Sequence, residues 1–320
     1  MAKIIETLLL LALPASGKSE VRKYLDNLPP ESCMKDFNMG STVQLDDFPY
    51  VHIMRRIDDE LASIGEKRIY FHSADKSFID PADWGTLIKL VSEDYDDLIS
   101  KNYSKPQSAG FHLFDRLEKA SGEVGIKPRI SALQGPLLKK IGDKLEKEAL
   151  DMLDKKHANY PESMKGKTMV IEFARGGPDK SSMPLPSPLG YQYSVAQLSP
   201  VILEKASILY IWVTPEESRR KNDARTDPND PGSILHHGVP LEVMMNDYGC
   251  DDIDWLLKNS EKPGAVTIRA HGKAFNLPLG RFDNRVDKTS FLRDDAKTWK
   301  PEQVKELHAA VTEAFKTLKK

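Results

Sequence analysis

Residues 4–21, IIETLLLLALPASGKSEV, restrict the fold more than any other stretch of this chain. Ile4 to Leu11 is short and almost continuously apolar, the pattern of a strand covered on both faces of a parallel sheet. Two rival readings fail on chemistry. A secretion signal wants a basic leader, an apolar segment and small residues at the cut. Here the leader offers only Lys3, and Glu6 sets a carboxylate at the edge of the run, where desolvating it is costly. A membrane span needs about 20 apolar residues, and the run stops well short of that.

Directly after the strand comes Ala12-Leu13-Pro14-Ala15-Ser16-Gly17-Lys18-Ser19. The phosphate-loop, or Walker A, pattern is a glycine, four residues, then Gly-Lys-Ser or Gly-Lys-Thr. Gly17, Lys18 and Ser19 stand at that spacing, and Ala12 replaces the first glycine. Backbone N–H groups and the positive end of the following helix hold phosphates in such a loop, the lysine reaches the β and γ oxygens, and the serine hydroxyl ligates Mg²⁺. None of these functions needs the first glycine's missing side chain, so Ala12 tests only whether that position avoids positive φ. The alternative is an ordinary strand-to-helix turn. Context favours the phosphate loop, because a strand precedes it and Val21 and Leu25, at i and i+4, mark a helix after it. Pro14, Ala15, Ser16, Gly17, Lys18, Ser19 and Glu20 are therefore the predicted nucleotide-binding residues.

At this motif the chain resembles the P-loop kinases, the group of nucleoside, nucleotide and other small-molecule kinases, over about its first fifty residues. The resemblance implies a three-layer α/β fold with a mainly parallel central sheet, Mg·ATP as cofactor, and a small-molecule acceptor. At 320 residues the chain is long for one domain and normal for such a core carrying an insertion. Residues 1–79 and 161–320 form the expected core. Residues 80–160, rich in helix formers at helical spacing, read as a helical insertion that caps the acceptor site, acts as a lid, or is simply structural. Its Trp84, Phe111, His112 and Phe114 line a pocket or build a core. A net charge of −2 gives no basic field for nucleic acid. Cys33 and Cys250 suggest neither a disulfide framework nor a zinc site, and a reducing cytoplasm is the expected compartment.

Thr42 to Leu45 predicts the second strand, whose carboxyl end carries Asp46 and Asp47 to where ligands bind in open parallel sheets. The segment LDDFPY resembles the acidic segment after the second strand of uridine-kinase-like enzymes. The resemblance implies that Asp46 first, and Asp47 second, contacts the acceptor and takes its hydroxyl proton. A solvated acidic turn or helix N-cap is the competing reading. Arg55 clamps an acceptor anion or pairs with Asp59 at i+4.

Thr168 to Phe173 predicts another buried strand, and Glu172 on it is the candidate second acid that orients Mg²⁺ or its water, alongside Ser19. The segment DKSSMPLPSPLGYQYS reads as a flexible or extended loop. After the strand Ile208 to Val213 come Arg219, Arg220 and Arg225, in the region where such kinases carry lid arginines; Arg219 and Arg225 are the predicted catalytic pair, with surface pairing to Glu216 and Glu217 as the alternative. His236-His237 makes a poor chelating pair. The functional expectation is a kinase; a nucleotide-binding switch or regulatory ATPase acting through a protein partner is the rival, and a degenerate loop in a binding protein is a third reading.

Overall fold

The computed structural model describes residues 4–225 and 238–318, with the side chain of Arg225 also left out. In chain order the elements are β1 (Thr7–Leu11), α1 (Lys18–Asp26), α2 (Pro30–Phe37), β2 (Ser41–Asp46), α3 (Phe48–Ser63), α4 (Asp83–Ser100), α5 (Ala109–Glu123), α6 (Gly135–Ala158) and β3 (Lys167–Phe173). They continue with α7 (Gly190–Ala196), α8 (Pro200–Leu203), β4 (Ala206–Trp212), α9 (Pro215–Arg225), α10 (Leu241–Asn246), α11 (Ile253–Lys258), β5 (Ala265–Ala270), β6 (Lys273–Asp283) and α12 (Pro301–Phe315). Among the described residues the six strands make one sheet in the order β2-β3-β1-β4-β6-β5. All neighbours run parallel except β5 against β6.

The alternation within β1 explains why its apolar run is uninterrupted. Leu9 and Leu11 face a core with α4, α7, α8 and α11, while Leu8 and Leu10 face a second core with α1, α2 and α12. All four leucines are fully buried, as expected of a central parallel strand sandwiched between helices. The result is an α/β protein with helices on both faces of a mostly parallel sheet.

A third apolar core lies beyond the carboxyl end of the sheet, built from α3, α4, α5 and α6 with Leu13, Val213 and residues of α10. The helical body is thus wider than residues 80–160, because α3 packs into it through Ile53, Ile57 and Leu61. One expectation is corrected nearby. GYQYS is not loop but the start of α7, whose Tyr191, Ser194 and Val195 are buried; Asp252 receives the Tyr191 and Gln192 amides at 2.7 and 2.9 Å and so closes the helix start. Among the described residues no helix is long and apolar enough to cross a membrane.

Pairing of β2 with β3 depends on a close backbone approach at Gly40. A Cβ there would stand 1.9 Å from the Gly166 carbonyl oxygen. Gly40→Ala is expected to destabilise the protein by about 1–3 kcal/mol or more through overpacking, read as a lower denaturation midpoint in urea.

Candidate active site

The connection from β1 leads to β2 on one side of the sheet, and β4 later pairs on β1's other side. The strand order therefore reverses at β1, the place where open α/β sheets bind ligands outside the strands' carboxyl ends. Residues 12–17 cross this point before α1 begins. Ala12 is fully buried and is not among the residues with positive φ; the left-handed positions are Ala15 (φ 56°) and Gly17 (φ 101°). Replacing the usual first glycine therefore costs Ala12 no backbone strain. Left-handed residues in such a turn aim successive N–H groups into one concavity, which suits an anion.

Gly17 is required on a second count. A Cβ would lie 2.5 Å from Thr289 Oγ1 and 3.0 Å from Asn284 Nδ2. Both belong to the segment after β6, where Asn284 Nδ2 donates to the Ser16 carbonyl at 2.9 Å. From the other side, the Ser218 hydroxyl on α9 donates to the Pro14 carbonyl at 2.7 Å. The loop is thus held by two distant parts of the chain. Lys18 folds back over it, its ammonium 3.3 Å from the carbonyls of both Ala12 and Leu13.

Asp46, Glu172 and Ser19 converge at the mouth of this loop. The parallel register of β2 and β3 pairs Asp46 with Glu172, and Ser19 Oγ donates to Glu172 Oε1 at 3.5 Å. Arg22, one turn along α1 from Lys18 and Ser19, bridges the two acids, 3.1 Å from Glu172 and 3.8 Å from Asp46. Burial pushes the Asp46 carboxyl up to about 7; the nearby Glu172 charge adds to this, and Arg22 offsets part of it. A carboxyl with this titration is matched to taking a proton near neutral pH. Arg22 did not emerge from the sequence, although its spacing of four from Lys18 places both on one helix face.

Asp47 takes a different role from its neighbour. Its Oδ2 lies 2.7 Å from Arg175 Nη2, and Arg175 is only 2 % exposed, among the largest fully buried side chains of the protein. Arg175 also donates to Ser194 Oγ at 3.0 Å and to the Trp84 carbonyl at 3.2 Å, with its guanidinium 4.7 Å from the Trp84 ring. Arg55 does not pair with Asp59, which is held by Arg68 at 2.6 Å. Instead Arg55 stacks 4.0 Å over Phe71 and donates to the Ala74 carbonyl at 2.7 Å.

These groups line one cavity of about 260 Å³. One end holds Pro14, Ala15, Gly17, Lys18, Ser19 and Glu20; Arg22, Asp46, Asp47 and Glu172 lie between; the far end has Arg55, Phe71, Phe78, Trp84, Arg175, Asp247 and Tyr248. Ser16 is fully buried, its hydroxyl spent on the Leu13 carbonyl at 2.6 Å, and Glu20 is tied to Arg293 at 2.8 Å. Trp84 belongs to the cavity wall, whereas Phe114 is core and His112 lines a separate space of about 500 Å³ on the far side of Asp46. In that space the buried Arg116 pairs with Glu93 and Asp94, and the half-buried Lys156 with Asp94 and Asp97.

Arg219 is not part of the lining. It pairs with Glu216 at 3.4 Å and leaves Nη1 buried without a hydrogen-bond partner. Arg225 ends α9, and its side chain lies outside the described residues, as do His236 and His237. Among the described residues no group of three or more His, Cys, Asp or Glu is arranged to hold a metal. Ser19 and Glu172 offer two oxygen donors, which suits only a cation that brings most of its ligands as water and phosphate, the habit of Mg²⁺. No protein-family model, curated protein or solved structure matches this chain.

Proposed function

We propose that the protein binds Mg·ATP at the loop of residues 14–20 and transfers the γ-phosphoryl group to a hydroxyl of a small acceptor. The observation that carries this reading is the single cavity running from Lys18 and Ser19, past Asp46, to an aromatic far end. Phosphoryl transfer asks a protein for positioning and charge stabilisation more than for covalent chemistry, and the cavity holds groups for both.

Bound Mg·ATP supplies the transferable group and, through its metal, neutralises charge on the phosphate oxygens. The residues of this chain do the rest. Inward N–H groups near Ala15 and Gly17 bind phosphate oxygens, and Lys18 leaves the Ala12 and Leu13 carbonyls to join them. Ser19 and Glu172 hold the metal side, directly or through water. Asp46 accepts the acceptor's hydroxyl proton, and Arg22 keeps Asp46 and Glu172 from repelling each other apart. The helical body closes the cavity from above and limits water there, which favours transfer over hydrolysis.

The decisive experiment incubates the protein with Mg²⁺ and γ-labelled ATP, with and without a pooled metabolite extract. Label on a metabolite is the expected result. Free phosphate alone, or tight nucleotide binding with no turnover, points to the regulatory ATPase instead. Lys18→Ala is expected to weaken Mg·ATP binding by at least about tenfold, since a charge-assisted contact contributes about 1.5–3 kcal/mol. Unchanged affinity in calorimetry would remove the loop from the nucleotide site.

A further inference from the structure

The far end of the cavity has a polarity that its arginines conceal. Arg55 and Arg175 both line it, which suggests a pocket for an anion. Arg175 is spent on Asp47, Ser194 and the Trp84 carbonyl, and Arg55 donates to the carbonyls of Ala74 and Lys76 while its charge acts on Asp247. The unmet demand lies elsewhere on the wall. Asp247, only 8 % exposed, follows α10 and presents an Oδ2 that is buried without a hydrogen-bond partner. Ser77 Oγ, buried on the same cavity, stands beside this carboxyl and, with a single proton to donate, leaves most of its acceptor capacity open. A buried carboxylate with acceptor capacity left over favours a ligand that supplies a donor.

The surroundings of these atoms are flat and aromatic. Phe71 and Phe78 stack with centroids 4.3 Å apart, Phe78 meets Trp84 edge-on at 4.9 Å, and Trp84 meets Tyr248 at 5.6 Å. Such a wall gives apolar contact to a flat body whose polar edge reaches Asp247. Burial pushes the Asp247 carboxyl up to about 6, with Ser77 and Arg55 drawing it partly back. Near neutral pH it is therefore largely an acceptor of hydrogen bonds and not a donor.

We propose that this end of the cavity is a recognition subsite for a planar molecule that presents N–H donors, an amidine-type or amino-heteroaromatic edge, to Asp247 and Ser77. Its role as the acceptor's specificity determinant rests on the phosphoryl-transfer reading; the binding subsite itself does not. The acceptor class that follows is a hydroxyl-bearing molecule with such an edge, placed with the edge at Asp247 and the hydroxyl toward Asp46. Anionic acceptors fit less well, because they would set a second negative charge against Asp247.

The test uses benzamidine and benzoate, two flat probes of like size in which an N–H-donating cation is exchanged for a carboxylate, followed by ligand-detected NMR titration of the intact protein. Benzamidine is expected to bind saturably and benzoate at least tenfold more weakly. The isosteric Asp247→Asn replaces the carboxylate with little change of shape and is expected to lower benzamidine affinity at least tenfold; Ser77→Ala lowers it less. Equal binding of the two probes, no saturable benzamidine binding at millimolar concentration, or an Asp247→Asn variant that keeps its affinity would each overturn the subsite. None of these outcomes touches Mg·ATP binding, so a protein that passes the Lys18 test and fails here binds nucleotide and lacks only this subsite.

Discussion

Asp46→Asn is expected to slow phosphoryl transfer by about 10²- to 10⁴-fold, the range for loss of a general base, while Mg·ATP affinity stays close to that of the parent protein. The difference between the two readouts is the point of the experiment. Asparagine keeps the size of the side chain and its place opposite Glu172, but it cannot take the hydroxyl proton. Equal losses in transfer and in nucleotide binding would move Asp46 from the acceptor to the metal. The titration of this carboxyl gives a second check. In the nucleotide-free protein, carbon-13 NMR is expected to follow it with a midpoint near 7. Glu172→Gln removes the neighbouring negative charge that raises it, so the midpoint should fall; Arg22→Ala removes the positive charge that lowers it, so the midpoint should rise.

The largest stability effect is expected at Arg175. Its guanidinium is almost wholly buried and stands 2.7 Å from Asp47. Removing one partner of a buried pair leaves the other charge uncompensated, which costs about 3–5 kcal/mol. Arg175→Ala should show that loss in equilibrium denaturation, even though Arg175 also lines the candidate site. Arg175→Met combined with Asp47→Asn retains much of the volume and removes both charges, and it should recover a large part of the loss. If the single and double variants prove equally unstable, the damage comes from the lost guanidinium contacts to Trp84, Phe173 and Ser194 and not from the stranded carboxylate.

The strand, loop and helix from Thr7 to Asp26 are legible in the sequence because each carries a local signal: an apolar run, a Gly-Lys-Ser, an i,i+4 apolar pair. The strands read from Thr168 and from Ile208 are legible for the same reason. What joins Asp46 to Glu172 is not local. It depends on β3 returning beside β2 in one particular register, and no pattern of either segment announces that. Arg175 and Asp247 are hidden more deeply. Their partners arrive from α3, α4 and α7 and from the segment between α3 and α4, so an arginine after a strand and an aspartate after a short helix look like ordinary surface charges. Arg55 shows the converse failure. Its i,i+4 relation to Asp59 is real along the helix, but Arg68 takes the aspartate.

The place of β1 in the sheet also bears on how the chain is made. β1 leaves the ribosome well before its two neighbours, which begin only at Lys167 and Ala206. At roughly 5–20 residues per second, four consecutive leucines wait on the order of ten seconds or more for the first of them. Throughout that interval a nascent chain carries an unpaired, uncharged strand, the kind of segment that recruits other chains or chaperones. The loop proposed to bind nucleotide is thus synthesised long before it finds its shape, since it waits further for Asn284.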